Sequence, residues 1–151
     1  MKRELEPFWV SGFTDGEGTF YVGINKNTEM TAGFQVLPEF RIVQHEKDIK
    51  LLYKLKSFFG CGVVRKNHDT RYEVRIRKIE HLAKIIIPFF IKHPLQTQKK
   101  HDFLKFRKVV LLIEKGEHLT RDGIDKILSI AKKMNRKEKL RTIENFKNKF
   151  G

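Results

Sequence analysis

The chain has 151 residues, 40% hydrophobic and 33% charged, enough for one domain with a real core. A single cysteine, Cys61, excludes an internal disulfide and a cysteine-rich metal site, and no apolar run approaches the ~20 residues of a membrane span. The net charge of +14 is unevenly spread: residues 1–60 hold eight of the 32 basic and eight of the 18 acidic side chains, so the whole excess lies in 61–151. That imbalance points to a polyanionic partner, because Lys and Arg gain by displacing counterions from phosphates.

The amino terminus, Met1-Lys2-Arg3-Glu4-Leu5-Glu6, lacks the apolar centre of a signal peptide, so an intracellular protein is the default expectation. Pro7 suits a first helical turn, and a helix is expected from Pro7 to Thr14. It carries the small residues Ser11 and Gly12, which admit close approach of another helix, and runs into Asp15-Gly16-Glu17-Gly18, read as acids on a turn that Gly16 and Gly18 let bend. From Thr19 the period changes to two: Phe20, Val22 and Ile24 alternate with Tyr21, Gly23 and Asn25. A loop over 27–33 precedes a second strand, Phe34 to Gln44, in which Pro38 argues for an edge position or a bulge.

Glu46 and Asp48 favour the start of a helix that buries Ile49, Leu52, Leu55 and Phe59 and stops at Gly60. Strands Gly62–Asn67 and Arg71–Ile76 follow, joined by His68-Asp69-Thr70, with Tyr72, Val74 and Ile76 inward and Arg71, Glu73, Arg75 and Arg77 outward. A helix from Ile79 to Ile86 should break or kink at Pro88. Helices at Lys99–Lys115 and Arg121–Met134, the latter capped by Thr120, and a basic helical tail from Lys137 to Phe150 complete the chain. The six histidines lack metal-site spacing and read as surface or helix-end residues.

The order α-β-β-α-β-β-α gives an α+β fold: four antiparallel strands with helices on one face and a polar, basic and aromatic face left open. That face carries Tyr21, Asn25 and Asn27; Gln35, Glu39 and Arg41; Arg65 and Asn67; and Arg71, Glu73, Arg75 and Arg77. Asn and Gln pair with adenine edges, Arg with guanine and Glu with cytosine, and a ribbon of strands fits the DNA major groove.

The stretch Trp9 to Phe20, above all Gly12-Phe13-Thr14-Asp15-Gly16-Glu17-Gly18, resembles the signature of LAGLIDADG homing endonucleases with one motif, at residues 9–18, in a single domain over 1–151. The resemblance implies a saddle-shaped sheet over DNA and a sequence-specific endonuclease that hydrolyses both strands of a long, approximately palindromic double-stranded target. It implies Glu17 as ligand of Mg2+ or Mn2+, with the Gly16 carbonyl beside it, and Gln44 and Lys99 as helpers ordering water and stabilising charge. Lys100 is the near rival of Lys99, and Asp15 is read as stabilising the helix end or its neighbour. One motif holds one essential acid, so cleaving two strands calls for a homodimer seamed at Val10, Ser11 and Gly12. The resemblance also implies an intron reading frame in an organelle (mitochondrion or chloroplast) or a bacterial cytoplasm. The alternative on the same scaffold is a non-cleaving maturase acting on intron RNA, or a DNA-binding regulator.

Overall fold

The computed structural model describes residues 4–134, so the expected tail helix over 137–150 lies outside the described residues. The elements run α1 (Pro7–Glu17), β1 (Gly18–Lys26), β2 (Phe34–His45), α2 (Ile49–Phe59), β3 (Val63–His68), β4 (Arg71–Ile76), α3 (Ile79–His81), α4 (Ile87–Lys92), α5 (Lys99–Glu114) and α6 (Arg121–Ala131). The strands form one sheet in the order β1-β2-β4-β3. This is the expected α+β architecture of a four-stranded antiparallel sheet with helices.

The chain divides into two compact units. The first comprises, among the described residues, 4–19 and Phe40–Lys100. Here the second half of β2 pairs with β4, Phe40 opposite Ile76 and His45 opposite Arg71, and β4 pairs with β3. Its core is aromatic and aliphatic: Phe40 packs on Phe59 and Phe90, with Ile42, Leu52, Leu55, Val74, Ile76, Leu82 and Ile86 buried around them. Each fully buried side chain of this size contributes ~1.5–3 kcal/mol. α2 ends as expected at Gly60, which takes φ +71° and donates its N–H to the Lys56 carbonyl at 2.8 Å.

The second unit comprises, among the described residues, Phe20–Glu39 and 101–134. Phe20 lies against Phe103 and Phe106 of α5, and Val22, Ile24, Phe34, Val36, Val109, Val110, Ile124 and Ile127 are buried. The β1–β2 loop closes with Asn27 N–H on the Gly33 carbonyl at 2.9 Å. Thr120 caps α6 as expected, its Oγ1 accepting from Gly123 N–H at 3.0 Å.

Three local expectations are corrected. Pro38 is buried in an interior strand, not on a sheet edge. The β4 register starts only at Phe40, so the missing Pro38 N–H costs no bond to β4. Pro88 does not stop the helix: a π-helical turn over Leu82–Ile86 joins α3 to α4 and widens the backbone where the proline ring would meet a preceding carbonyl. Finally, α1 does not end at Thr14 but runs through Asp15 and Gly16 to Glu17.

Candidate active site and nucleic-acid face

The continuation of α1 changes the meaning of its glycines. Neither Gly16 nor Gly18 has a positive φ, so the acids do not sit on a bent turn. Gly18 is extended (φ −83°, ψ 162°), and its N–H caps the helix on the Thr14 carbonyl. A Cβ on Gly18 would fall 2.6 Å from Thr14 Cγ2 and 2.9 Å from the Thr14 carbonyl oxygen, so this position needs glycine for space. Gly12 and Gly16 are the reverse: both are exposed, and a Cβ on either meets nothing within 4 Å.

One stripe of α1 faces inward and another outward. Val10, Ser11 and Thr14 are buried. Ser11 Oγ donates to the His93 carbonyl at 2.7 Å, and Thr14 Oγ1 to the Val10 carbonyl at 2.8 Å. The expected seam residues Val10 and Ser11 therefore pack within their own chain, because they share the inner face with Thr14. The outer stripe is Phe8, 72% exposed, Trp9, 45% exposed, Gly12 and Gly16, with Phe13 half-buried and stacked on Trp9 at 5.0 Å. His93 is a helix-end histidine, as expected: it is the C-cap of α4, and its ring stacks on Phe89 and meets the edge of Phe8.

Asp15, half-buried, ties the end of α1 to the chain entering α5. One carboxylate oxygen accepts from Gln96 N–H at 2.6 Å, the other from Thr97 N–H at 3.1 Å and Thr97 Oγ1 at 2.6 Å. Burial opposes its ionisation, but the bonds from Thr97 and Gln96 and the nearby Lys99 charge outweigh burial and hold the carboxyl below its ordinary value of 3.8. Thr97 Oγ1 in turn accepts from Lys99 N–H at 3.3 Å, and Lys99 Nζ returns to donate to the Thr14 carbonyl at 3.1 Å. Asp15 thus stabilises the helix end and its neighbour, and Thr97, which no sequence pattern marks, is the link. Lys100 is exposed, with its N–H on the Thr97 carbonyl.

Glu17 is the exposed last residue of α1. An acid there faces the negative end of the helix dipole, and the last turn holds no basic residue of its own. A cation bound there would offset both the carboxylate charge and the helix end. Among the described residues no cluster of three His, Cys, Asp or Glu side chains is built to hold a metal alone. A hard cation that keeps several waters fits what remains: one free-standing carboxylate, the open carbonyls of a helix end and the room left at Gly16. Gln44, half-buried, donates its amide to the Val43 carbonyl at 2.9 Å, and the strand period puts it on the side of Phe40 and Ile42.

The expected base-reading residues divide by unit. In the second, Asn25 is exposed, Tyr21 and Gln35 are half-buried and Glu39 is buried. Asn27 Oδ1 accepts from Glu29 N–H at 3.0 Å, so that oxygen shapes the loop. In the first, Arg41 stands opposite Arg75, and Arg65 opposite Glu73. Arg65, Asn67, Arg71 and Arg77 are exposed, and Arg41 and Arg75 are half-buried. Glu73, expected outward, is only 5% exposed.

Comparison with known proteins decides the family, since the LAGLIDADG endonuclease model matches residues 10–110. The chain belongs to the LAGLIDADG endonuclease family. It is 56% identical to the homing endonuclease I-TnaI, covering 97% of this chain and 99% of that one at a TM-score of 0.92. A structure of I-SmaMI bound to uncleaved DNA target in the presence of calcium ions is 39% identical, with 93% of this chain and 49% of that one covered and a TM-score of 0.85. A probable intron-encoded endonuclease 2 from Neurospora crassa is 34% identical over 123 residues, 81% of this chain but 26% of its own length. This LAGLIDADG chain thus spans about a quarter of the curated relatives it matches first.

Proposed function

We propose that the protein is a homodimeric, Mg2+-dependent, sequence-specific DNA endonuclease, with Mn2+ as an alternative ion. It would hydrolyse both strands of a long, approximately palindromic duplex. The observation that carries this reading is the outer stripe of α1. Two helix-interior glycines, Gly12 and Gly16, each cost ~0.5–1 kcal/mol relative to alanine. Nothing in the described residues requires either, since a Cβ at each meets open space. Small residues four apart on an exposed helix face, flanked by Phe8 and Trp9, suit close approach by the same helix of a second copy. That packing would bring two Glu17 carboxylates, each on the residue after Gly16, to one axis.

The divalent ion, held by Glu17 and the Gly16 carbonyl, would neutralise phosphate charge and activate water. The chain's own groups do the positioning. Asp15 and Thr97 fix the start of α5, and so the backbone of Lys99. The Lys99 ammonium, on the Thr14 carbonyl, lies at the same helix end as Glu17, where it would stabilise charge developing at the scissile phosphate. Gln44 would order water. The similarity to intron-encoded endonucleases supports an origin in a mobile intron, with an organellar or bacterial compartment.

The test is incubation of wild-type protein and Glu17→Gln with Mg2+ and a randomised duplex library, followed by sequencing of the ends. The wild type should yield a defined set of cut sites, and the variant should bind the same sites uncut. Sustained cutting by the variant would remove Glu17 from the metal site.

A further inference from the structure

Glu73 stands among arginines in the register of the first unit. Arg65 is its partner on β3, Arg71 and Arg75 lie two residues away along β4, and Arg41 is opposite Arg75 on β2. Long cationic neighbours explain how a carboxylate on a polar sheet face is only 5% exposed. One oxygen is hydrogen-bonded and the other faces an arginine. Oε1 accepts from Asn67 Nδ2 at 2.6 Å, and Oε2 lies 3.9 Å from Arg75 Nε. A residue reading cytosine must offer a free acceptor oxygen to the base. Glu73 is covered and committed.

Asn67 occupies a register shift between Lys66 and His68, where β3 carries one residue more than β4. A bulge of this kind re-aims a side chain, and Asn67 is exposed. An ionised carboxylate only accepts, so it can face only the amide nitrogen of Asn67. This settles the amide's orientation: one N–H goes to Glu73, and the second N–H and Oδ1 are left together as a donor–acceptor pair. That pair is the one an asparagine uses to read adenine. Arg75 is approached from its Nε edge, and its side chain, 17% exposed, is held in the same layer as that of Glu73, 7% exposed.

We propose that Glu73 is a positioning residue for base selection: it fixes the Asn67 amide and the Arg75 guanidinium and touches no base itself. The role rests on the reading of this face as DNA-binding. It replaces the expectation that Glu73 reads cytosine.

Glu73→Gln tests it, because glutamine keeps the shape but offers either a donor or an acceptor. The Asn67 amide then has two acceptable orientations, and Arg75 loses the Glu73 charge that lies 3.9 Å from its Nε. The assay is selection from a randomised duplex library without divalent ion, sequencing the bound fraction for wild type, Glu73→Gln, Asn67→Ala and the double variant. Preference should relax by about tenfold at the one or two base pairs that Asn67 and Arg75 read and persist at all others, which also shows that the variant is folded. In the Asn67→Ala background, Glu73→Gln should have no further effect at the base pair that Asn67 reads. A loss confined to a cytosine, equal in both backgrounds, would make Glu73 a direct reader and overturn the proposal. Unchanged preference would overturn it as well. If wild-type protein enriches no sequence, the DNA-reading assignment itself falls, and this role with it.

Discussion

The Asp15 tie converts directly into a measurable stability. Three hydrogen bonds converge on this carboxylate, two at 2.6 Å and one at 3.1 Å. A bond to a charged acceptor contributes ~1.5–3 kcal/mol in isolation, but three sharing one half-exposed carboxylate are not additive, because water can replace each in part. Asp15→Asn keeps one acceptor oxygen, turns an amide N–H toward donors and removes the charge. The expected loss is about 2 kcal/mol at pH 7, or about 4–8 °C in Tm for a chain of this size. The carboxyl is held below its ordinary 3.8, so its stabilisation is complete above that pH and is lost as pH falls through the lower folded value. Urea titrations of both proteins at pH 7 and below pH 3.8 should therefore show a gap that closes in acid. Equal stability at pH 7, or a gap that persists in acid, would refute the assignment of these bonds to an ionised Asp15.

Three further outcomes concern α1, the strand residue that caps it and the start of α5. Gly12→Phe should sediment as a monomer with its fold intact by circular dichroism, since a Cβ there has open space; an unchanged dimer would place the seam elsewhere. Gly18→Ala should destabilise the helix end by ~1–3 kcal/mol in urea titration and depress cleavage, whereas Gly16→Ala should leave monomer stability unchanged or slightly raised. Lys99→Met should slow cleavage by ~10²-fold or more while filter-binding affinity stays near wild type, and Lys100→Met should spare cleavage; the opposite pattern would assign the role to Lys100.

The order of elements was legible because each has a strong local signature: period-two alternation in β1 and β4, and Gly60 and Thr120 at helix ends. The failures share a cause. Glycine propensity argues for a turn at Gly16, whereas the Asp15 bonds to Gln96 and Thr97, some 80 positions away, stabilise the end of α1. Assigning Ser11 to the seam followed from residue size, but which face of a helix is inner depends on what packs there, here the His93 carbonyl. At Pro38 the strand order excludes an edge, and at Pro88 a π-turn keeps the helix unbroken, outcomes that local rules for proline do not distinguish from a bulge or a kink. On the sheet, alternation says nothing of the depth of Glu73, which depends on the arginines of adjacent strands. Family resemblance alone pairs Glu17 with Lys99; the hydrogen bonds tie Lys99 to Thr97 and to the Thr14 carbonyl of the helix that Glu17 ends.

The central claim is that each protomer brings one essential carboxylate, Glu17, to a shared two-copy site. A mixed dimer, with one wild-type protomer and one tagged Glu17→Gln protomer purified together, tests it on supercoiled plasmid bearing the selected target. The mixed dimer should at most nick the plasmid to open circles, while wild type makes linear DNA and the doubly substituted dimer leaves it supercoiled. Linear product from the mixed dimer at the wild-type rate would contradict the account.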